Sequence, residues 1–282
     1  MPDKKILSQR WSAGVCLGVL ALFYFPVFKE LYTSRWGIID YTHAYFVLPV
    51  VIWLIWRKRG EYKEQLSQGS TWGLLLIGTA LFLFVIGWRN DYLSVAVFSL
   101  IPMLFGFVLY LYGRRLARKL AFPVLYLLLL VPPPLGILDR ITLPMRYGVT
   151  AAADIFMRSF HFPVQRSGLL LYVGGSEIYM GQPCSGMRSL IALTALGLLL
   201  AYISRLNGTN RVILAASILP LALLGNFMRI AGMCIVTYYL GSHSGEVFHD
   251  YAGYGVFFLL ILGLTGLEAL LGRGQEFEED EY

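Results

Sequence analysis

The sequence predicts an all-α integral membrane protein with about eight transmembrane helices and an outward-facing segment that combines an amphipathic helix with a β-hairpin. The chain has 282 residues, of which 57% are hydrophobic and only 14% are charged, a composition outside the usual range of soluble domains. Several apolar runs approach or exceed the roughly 18 residues that mark a membrane helix. The basic residues cluster at the ends of these runs, which is typical of membrane orientation. The net charge of +6 therefore does not indicate nucleic-acid binding.

Eight apolar runs are predicted to cross the membrane. The first run has no obvious cleavage site, so we expect it to be retained, and the second and fifth runs are short for a full crossing. In chain order, the predicted spans are 11–28, 43–56, 71–88, 92–113, 120–131, 184–203, 212–240 and 251–271. A polar turn, 205–211, and a polar loop, 241–250, are predicted between the last three spans. We expect one membrane domain over 1–274 and an acidic, disordered tail over 275–282.

The stretch 135–180 differs from the predicted spans because it carries too many charges to face lipid. Residues 142–160 have helical periodicity, which favours an interfacial or re-entrant helix. The apolar stretch 169–173, the Gly174-Gly175 pair and the stretch 177–180 that follows predict a β-hairpin over 168–180.

The distribution of basic residues predicts the orientation of the chain. One side of the eight spans receives fourteen Lys and Arg residues, the other side receives seven, and two of the 23 lie within spans. The more basic side is cytoplasmic by the positive-inside rule. We therefore expect cytoplasmic termini, with 135–180, Cys184 and 241–250 facing outward.

Cys184 is a candidate nucleophile at the start of the sixth span. It follows Pro183, a residue common in the first turn of a helix, and the helix would place Arg188 on the same face four residues later. A thiolate is stabilised at a helix N-terminus beside a cation. The alternative is a small apolar residue that begins a membrane helix. The other cysteines, Cys16 and Cys234, lie in apolar runs, and the three together have no zinc-type or disulfide spacing.

Arg229 and His249 are candidate partners for the thiol. An arginine within a membrane helix costs roughly 2.5–3.5 kcal/mol on insertion scales, so it usually faces a polar interior. Asn226, three residues earlier, shares its face and could orient the guanidinium. The alternative for Arg229 is a structural hydrogen bond between helices. His249 begins the eighth span and can exchange a proton near neutral pH, tuned by Asp250 or Glu246, although an interfacial polar residue is the alternative.

The three candidates come from consecutive spans, and all can reach the outer face. A Cys/His pair suits acyl transfer, and an arginine can stabilise the oxyanion that develops. Gly253, one turn after His249, leaves room for a neighbouring helix or a substrate backbone. No Walker, HExxH or GxSxG motif is present, so we expect no cofactor and no metal.

The sequence resembles the exosortase/archaeosortase family of membrane transpeptidases. The motifs that carry the resemblance are, in order, Cys184-Ser185-Gly186-Met187-Arg188-Ser189, Asn226-Phe227-Met228-Arg229 and Phe248-His249-Asp250. Tyr41-Thr42-His43 and the prolines at 132–134 are also similar to the family.

The resemblance implies a catalytic cysteine, arginine and histidine at Cys184, Arg229 and His249. We expect three supporting residues, which are Arg188, Asn226 and Ser185. It also implies substrates that are exported proteins with a C-terminal sorting signal, made of a recognition motif, one membrane helix and a basic end. The best-known bacterial signal contains Pro-Glu-Pro, and such systems often accompany exopolysaccharide production.

The resulting hypothesis is a membrane cysteine transpeptidase that forms a thioester on Cys184 and transfers the cleaved protein to an acceptor. Transfer to water would make the protein a protease. The expected surroundings are membrane lipid and exported protein substrates, without nucleic acid. The alternatives are a non-catalytic membrane component of exopolysaccharide assembly or export and an S-acyltransferase.

Overall fold

The computed structural model describes residues 3–36, 41, 43–64, 67–133, 137–181 and 187–279. Most of these residues are helical, and the remainder includes one small sheet, which confirms the predicted helical membrane class. Within the described residues, three helices are long and apolar enough to cross a membrane: Trp72–Arg89, Leu93–Lys119 and Gly208–Arg273. Three shorter apolar helices accompany them: Ala44–Arg57, Ala121–Leu130 and Ser189–Ile203. Eight crossings stay a prediction.

The chain divides into two compact units, Met1–Pro134 and Leu135–Tyr282. The helices of the first unit are α1 (Asp3–Leu31), α2 (Ala44–Arg57), α3 (Arg59–Glu64), α4 (Trp72–Arg89), α5 (Leu93–Phe98), α6 (Leu100–Lys119) and α7 (Ala121–Tyr126). A π-helical turn, Tyr32–Trp36, follows α1, and a 3₁₀ turn, Leu127–Leu130, follows α7.

Glycines set the packing of the first unit. A Cβ on Gly73 of α4 would stand 2.6 Å from the carbonyl oxygen of Gly106 in α6, so the two helices touch through their backbones. Gly113 interrupts α6 with φ 80°, a conformation that favours glycine. The helical residues 114–119 therefore continue in a new direction.

The second unit contains a small sheet and the remaining helices. Its elements are α8 (Ile137–Ser159), β1 (Val164–Ser167), β2 (Leu170–Val173), β3 (Ser176–Tyr179), α9 (Met187–Ile203), α10 (Gly208–Ala216) and α11 (Ile218–Glu279). The sheet is antiparallel in the order β1-β2-β3. The predicted β-hairpin is confirmed as β2 and β3, with both glycines of the Gly174-Gly175 turn at positive φ.

Strand β1 was not predicted. Its sequence, Val164-Gln165-Arg166-Ser167, buries only the valine, so it lacks the apolar alternation by which a strand is recognised. Its pairing with β2 and its packing against α8 hold it in place.

Helix α11 is a hairpin of two limbs, residues 218–240 and 242–279, which meet at Gly241. Gly241 has φ 84°, a left-handed conformation that ends one helix and lets the chain reverse. Cβ atoms placed on the glycines of the two limbs meet the opposite limb: Gly232 meets Phe248 and Gly245 meets Thr237. Both contacts are centred close to Gly241, as expected for antiparallel helices.

The predicted loop over 241–250 is wrong, because residues 242–250 are helical. Their polarity has another cause. The Asp250 side chain is 82% exposed, and a carboxylate that faces hydrocarbon is strongly disfavoured. The apolar run 251–271 that follows is itself long enough to cross a bilayer, which needs roughly 20 residues. Residues 242–250 are therefore a polar helical stretch next to the bend of the hairpin.

The sheet packs against the first limb of α11 near its bend. A Cβ on Gly174, in the β2–β3 turn, would stand 3.4 Å from the Tyr238 backbone. The Phe162 ring contacts the Tyr238 ring edge-on at 5.2 Å. Buried residues of α8, the sheet and the first limb form one apolar core there, which includes Met157, Leu171 and Ile230.

Candidate active site

The hairpin of α11 brings Arg229 and His249 together. Arg229 lies on the first limb and is 9% exposed, and the His249 side chain on the second limb is 13% exposed. A terminal nitrogen of the Arg229 guanidinium, Nη1, lies 3.6 Å from the position that a Cβ on Gly253 would occupy. Because Gly253 and His249 are four residues apart, they share one face of the second limb. The guanidinium therefore lies within one helical turn of the imidazole.

The space beside Gly253 is occupied by the Arg229 side chain. The sequence predicts room at this position for a neighbouring helix or a substrate backbone, and the structure assigns that room to the guanidinium. A guanidinium buried between two helices needs such a space, because a side chain at position 253 would compete with it for the same volume. Gly253 is thus a determinant of where the positive charge lies.

Two charges act on the imidazole of His249. The Arg229 guanidinium and the Asp250 carboxylate both interact with it electrostatically. The His249 Nδ1 and Asp250 Oδ1 atoms are 3.7 Å apart, which is an ion-pair distance for a protonated histidine but too long for a good hydrogen bond. Since Asp250 is largely exposed, water weakens its effect. The buried Arg229 charge is less screened by water, and its positive sign allows it to stabilise an anion near the imidazole.

Asn226 lies one turn before Arg229 on the first limb. It is 5% exposed, so both polar residues are directed into the protein rather than towards lipid. This agrees with the prediction that they share a face and that polar groups within a membrane helix face the interior.

A neighbouring residue orients His249. A Cβ on Gly232 would stand 2.8 Å from the Phe248 ring, so the ring fills the gap that the missing side chain leaves. This contact fixes the rotation of the second limb about its axis, and with it the direction of the adjacent His249. The sequence signal was an isolated glycine within an apolar helical run, and its partner could not be identified from the sequence.

Helix α9 runs antiparallel to the first limb. The Arg211 guanidinium donates a hydrogen bond to the Ser204 carbonyl oxygen at 3.1 Å. A Cβ on Gly197 would stand 2.6 Å from the Ile218 side chain. The two contacting pairs, 204 with 211 and 197 with 218, have the same midpoint in the sequence, as expected for antiparallel helices. Helical hydrogen bonds continue from α10 into α11. The register between α9 and the continuous helix is therefore constant.

The same register places the start of α9 level with Arg229. Met187, the first residue of α9, lies ten residues before Gly197. Met228 lies ten residues after Ile218. Both residues therefore lie about 15 Å along their helices from the contact between Gly197 and Ile218, in the same direction. The chain therefore enters α9 at the height of the Arg229–His249 site.

Part of the predicted site lies outside the described residues. Cys184 and Ser185 fall within 182–186, and the side chain of Arg188 is not part of the description either, although its backbone belongs to the first turn of α9. The structure thus brings together Arg229, Asn226 and His249.

The remaining cysteine and histidine side chains of the second unit offer no competing site in the part of the chain that the structure describes. Cys234 is fully buried in the core beneath the sheet, where a substrate has no access. His161 and His243 are exposed to solvent. Among the described residues, no group of three or more His, Cys, Asp and Glu residues could hold a metal ion.

A sequence profile of the family described as transmembrane exosortase matches residues 36–266. The matched stretch is most of the chain and includes the Arg229–His249 site, so the chain belongs to the transmembrane exosortase family. No curated protein and no solved structure matches the chain.

Proposed function

We propose that this transmembrane exosortase is a cysteine transpeptidase of the cytoplasmic membrane. It cleaves the C-terminal sorting signals of exported proteins through a thioester on Cys184 and transfers the shortened proteins to an acceptor. The observation that carries the proposal is the meeting of Arg229 and His249 across the bend at Gly241, level with the start of α9. Cys184 precedes that start by three residues in the sequence.

The first half-reaction breaks the peptide bond. The Cys184 thiolate attacks the scissile carbonyl carbon, and the carbonyl oxygen becomes an oxyanion that the Arg229 guanidinium stabilises. The oxyanion collapses, the C–N bond breaks, and the leaving amine takes a proton from the His249 imidazolium. The products are a thioester and the released signal.

The second half-reaction restores the enzyme. An incoming amine attacks the thioester and gives its proton to the neutral His249 imidazole. The C–S bond breaks and the thiolate leaves with Arg229 as its counter-charge. If water is the nucleophile instead, the same steps yield a free carboxyl group.

Three further residues support these roles in the proposal. Asn226 orients the Arg229 guanidinium from one turn away, a role supported by its burial on the same limb. Arg188 and Ser185 lie next to the thiol in sequence and help to hold the thiolate and the substrate carbonyl.

The proposed location follows from the distribution of basic residues. The active site and the three-stranded sheet face outward, and both termini are cytoplasmic. The polar stretch 242–250 of α11 supports this arrangement, because it adjoins the site and polar side chains avoid the hydrocarbon region. A signal whose own membrane helix anchors it in the bilayer presents its cleavage motif at that level.

The experiment is coexpression of the full chain with a tagged exported protein that carries a C-terminal sorting signal. An immunoblot reports the size of the substrate with the native chain, Cys184→Ala and Cys234→Ala. We expect cleavage with the native chain and with Cys234→Ala, since that buried thiol has no catalytic role, and none with Cys184→Ala. Mass spectrometry of the shortened product distinguishes transfer from hydrolysis.

Equal cleavage with the native chain and Cys184→Ala would refute the mechanism. If Cys184→Ser leaves polysaccharide export intact and no substrate is shortened, a non-catalytic role in export would replace the proposal. An unchanged substrate length together with a new thioester-linked lipid would instead indicate an S-acyltransferase.

A further inference from the structure

A basic surface lies at one end of the first unit, and none of its residues takes part in the proposed reaction. It is formed by the last residues of α2, the start of α3 and the segment of α6 after its break at Gly113. We call it the basic platform, and it consists of Arg57, Lys58, Arg59, Arg114, Arg115, Arg118 and Lys119. Within 57–62 and 114–119, these seven cations face a single carboxylate, Glu61.

Tertiary contacts hold the two halves of the platform together. The Lys119 ammonium nitrogen lies 3.8 Å from a Glu61 carboxylate oxygen. The Ser67 backbone nitrogen donates a hydrogen bond to the Tyr112 carbonyl oxygen at 3.1 Å. The platform is therefore one surface, although its two halves are more than 50 residues apart in the chain.

The break at Gly113 turns the basic residues outward. In 114–119, Leu116 and Ala117 are buried, whereas the four cations of that segment are exposed. This short amphipathic piece follows directly after the apolar part of α6. Its geometry is that of a helix end that leaves the hydrocarbon region and lies along the membrane surface.

Two exposed tryptophans of α2 contact the platform. The Arg57 guanidinium carbon lies 5.2 Å from the centre of the Trp53 ring, and that of Arg59 lies 4.3 Å from the Trp56 ring. Trp53 and Trp56 are 40% and 60% exposed. Tryptophan side chains in such positions prefer the boundary between lipid tails and headgroups.

The start of α4 completes this boundary. The Ser70 backbone nitrogen donates to the Leu109 carbonyl oxygen at 3.0 Å, so α4 begins beside the end of the apolar part of α6. Its first residue, Trp72, is 70% exposed. Cations beside exposed tryptophans match a layer of negative headgroups beside lipid tails.

We propose that the basic platform binds anionic phospholipid headgroups of one membrane leaflet. The guanidinium and ammonium groups contact the phosphates, and the tryptophan rings lie against the upper acyl chains. Each Lys or Arg near an anionic bilayer surface strengthens association about fivefold at low salt. Removal of two platform charges should therefore weaken the binding of an anionic lipid roughly 30-fold.

The test uses the purified full chain in a neutral detergent, with phosphatidylglycerol or phosphatidylcholine added at equal concentration. Native mass spectrometry counts the retained lipids, and thermal unfolding reports stabilisation by a ligand that binds the folded state. We expect phosphatidylglycerol to be retained and to raise the melting temperature, and phosphatidylcholine to do neither. The shift should shrink as salt is increased.

Matched variants localise the effect. Arg115→Gln with Arg118→Gln should lose most phosphatidylglycerol retention, and Arg115→Lys with Arg118→Lys should keep it. Lys29→Gln with Arg89→Gln removes two exposed charges from the ends of α1 and α4 and should leave retention unchanged. Melting temperatures without lipid verify that each variant is folded.

Three results would overturn the proposal. They are equal retention of the two lipids, equal losses in the platform and control variants, and tighter binding of an oligoribonucleotide than of phosphatidylglycerol. Because no step uses the peptide-cleaving reaction, failure of the lipid test leaves the proposed enzyme activity untouched.

Discussion

Replacement of Gly253 by leucine should displace the Arg229 guanidinium and abolish the proposed activity. A Cβ at this position would lie 3.6 Å from Arg229 Nη1, which is an ordinary contact. The terminal carbons of a leucine in a staggered rotamer lie roughly 2.5 Å beyond its Cβ. They would occupy the volume of the guanidinium, which must then move by about 2 Å.

The expected loss follows from the role of Arg229. Misplacement of a catalytic group by about 1 Å can reduce a rate 100-fold, and loss of one oxyanion-stabilising donor reduces kcat about 100-fold to 1000-fold. We therefore expect Gly253→Leu to cleave a sorted substrate at least about 100-fold more slowly than the native chain. Gly253→Ala should keep most activity, because its methyl group only touches the guanidinium.

The assay is the initial rate of substrate shortening on an immunoblot, with the melting temperature of each purified variant as a measure of folding. Gly255→Leu is the matched control, since Gly255 lies two residues away with nothing within 4 Å of its would-be Cβ. A folded Gly253→Leu variant with native activity, alongside an inactive Arg229→Ala variant, would refute the argument that Gly253 positions the guanidinium.

Two further predictions concern the first unit. Gly73→Ala should lower its stability by about 1–3 kcal/mol through overpacking against α6, whereas Gly78→Ala in the same helix, with open space around it, should stabilise by up to about 1 kcal/mol. Equal melting temperatures of the two variants would contradict the backbone contact between α4 and α6. Tyr41→Phe removes the hydroxyl that donates to the Val131 carbonyl oxygen at 3.0 Å and should destabilise by about 1 kcal/mol. Burial raises the pKa of Tyr41, so its contribution should be constant below pH of about 10 and decline above that; a difference from Tyr41→Phe that varies with pH at neutrality would refute this.

Local sequence patterns predicted some features of the fold and failed at others. The Gly174-Gly175 pair predicts the β2–β3 turn because two adjacent glycines readily adopt positive φ. The polarity of 241–250 predicts a loop, but residues 242–250 are helical. Strand β1 has no pattern of its own, since pairing with β2 rather than burial of alternate side chains makes it a strand.

The candidate site residues could be identified from the sequence because a polar side chain within a membrane helix costs free energy unless it faces the protein interior. Arg229 and Asn226 interrupt an apolar run, and polar groups in that setting must face the protein interior. Their burial in the structure agrees with this reasoning. The role of Phe248 could not be predicted, because its packing depends on a glycine on the opposite limb.

The sequence by itself determined the membrane class, most helical segments and the types of residue at the site. Only the tertiary structure decided that Arg229 lies over Gly253, within a turn of His249, and that α9 begins at the same height. Hydrophobic burial is non-directional, so an apolar pattern states which face of a helix is buried but not against what. The register between helices is set by a few close contacts at Gly197, Gly232 and Gly253, and those contacts exist only once the helices have packed.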